Sequence, residues 1–125
     1  MSPHQAYIAL GGSIASHYGS HGRTGDGTLI LALWRDHWQD GLYQLLWERE
    51  RHSWQLRDRN AAVCKMQPGE IARFVAIDRD PSIPADAETW HIKKDSAMPD
   101  RERGVIVDHE DERGIYLRMV RLPRK

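Results

Sequence analysis

Residues 11–34 set the terms on which this chain can fold. GGSIASHYGSHGRTGDG occupies 11–27, and an uninterrupted apolar segment, TLILALW, follows at 28–34. Six of the ten glycines fall in the first part, with three serines, two histidines, Arg23 and Asp26. Seven residues held between glycines and the polar RDHWQDG are too few for a buried helix and fit a central strand covered on both faces. The glycine-rich part predicts a pliant loop over 13–27, mounted on a stiff β framework so that it grips something external.

The rest of the chain continues in short units. Residues 5–10 (QAYIAL) read as a first strand ended by Gly11 and Gly12. Residues 42–47 and 54–57 read as the arms of a hairpin with a charged tip, a helix over 42–51 being the competing reading. Residues 58–66 form the best helix candidate, with Asp58 or Asn60 as N-cap and Pro68 and Gly69 as the stop. Residues 71–77 and 89–93 read as strands, and 104–108 with 115–122 as a closing hairpin. Seven or eight short strands and one short helix predict a mainly β, β-rich α+β domain spanning 1–125. A small barrel or a curved antiparallel sheet buries them most economically.

Charge and cysteine content narrow the function classes. Eighteen basic and 18 acidic residues give zero net charge, which argues against a groove that tracks phosphates by counterion release. Nearly all of that charge follows residue 47, with both signs intermixed, so the first third is the apolar, aromatic part. The single cysteine, Cys64, leaves no internal disulfide and no cysteine-based zinc site; its apolar neighbours predict a buried thiol. No segment has the length of a membrane span or the pattern of a targeting peptide, so the expected location is cytoplasmic.

The candidate chemistry centres on the glycine-rich stretch. Successive glycines present backbone N–H groups to an anion, and Arg23 and Thr24 add a guanidinium fork and a hydroxyl. No P-loop pattern is present. His17 and His21 are spaced to chelate a metal on a helix, but Gly19 and Gly22 oppose a helix there. Ser13, Ser16 or Ser20 with His17, His37 and Asp26 or Asp36 permits a hydrolytic triad on paper, without a GxSxG elbow. No catalytic residue, metal or cofactor is assigned. Of the five tryptophans, Trp34 and Trp47 sit in apolar strands and are expected in the core. Trp38 and Trp54 lie in polar context, where an exposed ring stacks on a base or anchors a protein interface. Arg113, Arg118, Arg121, Arg124 and Lys125 predict an edge strand protected by charge, with a patch for phosphate or an acidic partner as the alternative.

Gly25-Asp26, the apolar run 29–34 and Gly41-Leu42-Tyr43 resemble a piece of PUA/EVE-type barrels, over about 20 residues of the chain's 125. That resemblance implies a small barrel holding a nucleobase in an aromatic-lined pocket, with Trp34 and Trp38 near it. The ligand-binding candidates are Ser13, His17, Tyr18, His21, Arg23, Thr24, Trp38 and Trp54. The function expected from them is a non-catalytic recognition module contacting nucleic acid or a nucleotide. The alternatives are a small phage or mobile-element type of protein that inhibits or adapts a larger protein complex, and a hydrolase using the loop histidines.

Overall fold

In the computed structural model, which describes residues 1–16, 19–50, 54–82 and 92–123, the apolar run is a strand buried along its whole length. The chain enters through a helix, α1 (Pro3–Ala9), where a strand is expected from sequence. A capping box explains the difference: Ser2 Oγ accepts from Gln5 N and Gln5 Oε1 accepts from Ser2 N, with Pro3 in the first turn. The helix buries Ala6 and Tyr7.

Two strands run into the expected 13–27 loop, with turns and bends between them. β1 (Gly12–Ile14) and β2 (His21–Thr24) pair antiparallel, and β2 pairs in turn with β3 (Leu29–Trp34). Two of the glycines serve close approach, not mobility. A Cβ on Gly22 would stand 2.5 Å from the Ser13 carbonyl oxygen and 3.1 Å from the Tyr7 ring. A Cβ on Gly12 would stand 2.6 Å from the Arg23 carbonyl oxygen. The β2–β3 turn is equally fixed: Asp26 Oδ1 accepts from Thr24 Oγ1, from Thr28 N at 3.1 Å and from Thr28 Oγ1 at 2.8 Å.

A 3₁₀ turn (Arg35–His37) leads from β3 to β4 (Trp38–Gln39) and β5 (Leu42–Leu46). A single helical turn, α2 (Trp47–Glu50), follows. Beyond the undescribed residues 51–53, the expected strand at 54–57 is a 3₁₀ turn (Trp54–Leu56) running into α3 (Arg57–Cys64). The helix expected at 58–66 is thus present, but its N-cap is Leu56, with no side-chain bond. β6 (Arg73–Ile77), β7 (Met98–Pro99), β8 (Arg103–Asp111) and β9 (Gly114–Arg121) complete the chain. The strand expected at 89–93 lies mostly outside the described residues.

Two sheets result, ordered β1-β2-β3-β6-β7 and β4-β5-β9-β8. The first curls into a half-barrel. It touches the second where Ala72 and Val105 exchange backbone hydrogen bonds of 2.8 and 2.9 Å. The architecture is the small β-rich fold that the strand pattern predicts, with one parallel pair, β3 on β6. β3 is its centre, and Leu31, Leu33 and Trp34 meet Tyr43, Leu45, Val105 and Leu117 in one apolar cluster. β9 is internal and not the expected edge; β8 takes that place, with exposed Asp108, Glu110 and Asp111. Among the described residues no helix is long and apolar enough to cross a membrane.

Candidate functional site

α3 is two-faced. Leu56, Arg59 and Val63 turn to the core, whereas Arg57, Asn60, Ala61 and Cys64 recur at helical spacing on the outer side. That outer face forms one wall of a groove of about 540 Å³, and α2 with the Trp54 turn forms the other. Trp47 and Trp54 line it with 36% and 42% of their surfaces in solvent. Trp47 is therefore not the core residue the strand reading predicts: the chain leaves β5 one residue earlier and rolls its indole outward. Cys64, expected buried, is exposed at the same groove.

Glu50 lines the groove yet is only 6% exposed. Its Oε2 accepts from Arg59 Nη2 at 3.1 Å and from Asn60 Nδ2 at 3.4 Å. Its Oε1 is buried and has no hydrogen-bond partner among the described residues. An unmatched carboxylate oxygen at that depth carries a desolvation penalty. Beneath lies a polar keystone. Arg59 Nη1 donates to the Ala32 carbonyl at 2.9 Å and to Tyr43 Oη at 3.4 Å. Tyr43 Oη also accepts from Trp34 N at 3.2 Å and stands 3.5 Å from His37 Nδ1. Burial, then Arg49, Arg79 and Arg59, hold His37 neutral by lowering its pKa to about 3.

The residues singled out in the sequence do not converge. Ser13 is exposed on β1, and Arg23, exposed on β2, donates to its own turn at the Gly27 carbonyl. His21 is 7% exposed; burial lowers its pKa, and its Nδ1 has no partner among the described residues. Thr24 lines a separate open cleft of about 470 Å³ with Asp26, Thr28 and Arg73. Trp38 packs on Tyr43 and Phe74 and lines a cavity of about 220 Å³ with Arg35 and Arg103. Trp34, placed by resemblance near a pocket, is 1% exposed in the core. Trp54 alone reaches the large groove, and His17 and Tyr18 lie outside the described residues.

Hydrolytic geometry is not assembled among the described residues. Ser16 Oγ hydrogen-bonds the backbone of His21, not its ring. The same residues hold no His, Cys, Asp and Glu cluster able to bind a metal ion. Trp47, Glu50, Arg57, Asn60, Ala61 and Cys64 are the groove residues absent from the sequence candidates. The outward helical stripe Arg57, Asn60, Ala61, Cys64, polar or small throughout, is the signal that locates it. Compared with family models, curated proteins and solved structures, the chain matches none.

Proposed function

We propose that this protein is a non-catalytic recognition module whose groove between α2 and α3 takes a base of a nucleotide or single-stranded nucleic acid. The observation that carries the reading is the pair of half-exposed indoles on one groove, with the exposed guanidinium of Arg57 on the same wall. Indole faces stack on any base, at about 1–3 kcal/mol per base, and a guanidinium beside them suits a phosphate. Arg57 also disfavours a free cation as the natural occupant. Zero net charge fits a local pocket better than a long phosphate track. The glycine-rich stretch, built into the first sheet, supports the framework in this reading.

The test is fluorescence anisotropy with a labelled single-stranded oligonucleotide of mixed sequence at low salt. Saturable binding is expected, weakened by Trp54→Ala by about 1–3 kcal/mol in a variant that keeps its melting temperature. No binding, or equal binding by the folded variant, contradicts the proposal. A stoichiometric protein partner that survives nuclease treatment and is lost in the same variant supports instead an inhibitor or adaptor of a larger complex.

A further inference from the structure

The open cleft of about 470 Å³ beside the β2–β3 turn shares no residue with the α2–α3 groove, and it is lined by one charge of each sign, Asp26 and Arg73. Among the described residues the arginines in ion pairs are Arg35, Arg59, Arg79, Arg103 and Arg118, so Asp26 and Arg73 face the cleft without neutralising each other. Each is held by its own neighbours instead. Asp26 Oδ1 takes three hydrogen bonds from Thr24 and Thr28, which lower the carboxyl pKa to about 2 and keep it ionised. Oδ2 lies outside those three bonds, and the residue is solvent-exposed, so a ligand reaches it without rearrangement. Arg73 Nη2 donates to the Asp100 carbonyl at 3.2 Å, a neutral partner, and its buried Nε makes no hydrogen bond among the described residues. A lone anion in this cleft would meet Asp26, and a lone cation Arg73, each as a like charge. We infer that the cleft binds the zwitterion of a free α-amino acid with an apolar side chain. The ammonium donates to Asp26 Oδ2, the carboxylate accepts from the Arg73 guanidinium, and the side chain lies on Leu10, Ile71 and Leu122. A peptide terminus has only one of the two charges. Both charged groups are already oriented by protein bonds, which reduces the ordering cost of binding.

The experiment is calorimetric titration of the full chain with L-leucine, with its methyl ester, which lacks the carboxylate, and with N-acetyl-L-leucine, which lacks the ammonium. Leucine is expected to bind at one site, and each capped form about ten-fold or more weakly, the size of one lost hydrogen bond to a charged group. Glycine should bind more weakly than leucine, and equal affinity would overturn the apolar part of the assignment. Asp26→Asn keeps an acceptor for the bonds of the turn but loses the charge, and it should weaken leucine binding about ten-fold or more; Arg73→Gln should do the same. Trp54→Ala, in the other groove, should bind leucine as the parent does. No saturable binding of leucine, equal affinity for the capped forms, or full affinity in the folded Asp26→Asn and Arg73→Gln variants overturns the inference. Leucine binding lost in Trp54→Ala places the ligand in the α2–α3 groove and overturns it as well. None of these outcomes bears on oligonucleotide binding, which is read separately.

Discussion

Arg59 has no solvent exposure, and its guanidinium makes five hydrogen bonds, to Asn60 Oδ1 twice, the Ala32 carbonyl, Tyr43 Oη and Glu50 Oε2. Five bonds match the five N–H groups that arginine offers. A buried cation is tolerated only when it is so matched, because its desolvation costs several kcal/mol otherwise. His37 in the same network is held the other way, as a neutral ring, and this sets a pH dependence. Above about pH 6.5 both folded and unfolded chains hold the ring uncharged. Below it the unfolded chain takes up a proton that the folded ring accepts only near pH 3. Stability should therefore fall on acidification from pH 6.5, by about 1.4 kcal/mol per pH unit for this group. His21, also lowered, acts in the same direction. The lowered carboxylates Asp26, Asp108 and Asp111 add their loss only below about pH 4. Urea denaturation between pH 6.5 and 4.5 isolates the histidines. The slope should flatten in His37→Gln, and an unchanged slope in that variant would assign the acid sensitivity to other groups.

Among the elements, β1 and β2 distinguish packed structure from slack. Gly22 leaves no room for a Cβ, whereas Gly25 has nothing within 4 Å of that position. Gly22→Ala should cost about 1–3 kcal/mol by overpacking, and Gly25→Ala should be close to neutral, as read from denaturation midpoints. A pliant loop would tolerate both equally, so equal midpoints would restore the loop reading of 13–27. Continuous apolar character made β3 legible, and alternation marked β5 and the β8–β9 hairpin. Proline and glycine at 68 and 69 marked the end of α3. Glycine hid β1 and β2, since a residue chosen for close contact looks the same in sequence as one chosen for freedom. α1 was hidden by its apolar pattern, although Ser2, Pro3 and Gln5 spell its cap. The groove was half legible. Trp54 stands out by its polar neighbours, but Trp47 belongs by pattern to the strand that precedes it. No local pattern announces Glu50, because its partner Arg59 comes from another helix.

For the whole molecule, the curled sheet around β3 is the framework, and the α2–α3 layer beside it carries the exposed Trp47 and Trp54. Arg59 joins the two: its guanidinium reaches from α3 to the carbonyl of Ala32 in β3 and to Glu50 beside the groove. A groove seated on a buried ion pair is preorganised, which reduces the ordering cost of binding. The proposed entry of bases between α2 and α3 is reported directly by the five indole N–H resonances of the tryptophans. In ¹H–¹⁵N spectra of the full chain titrated with a single-stranded oligonucleotide of mixed sequence, the Trp47 and Trp54 indole signals should shift together and saturably, while that of core Trp34 stays in place. Shifts confined to Trp38, or no indole shift at all under saturating oligonucleotide, would contradict the account.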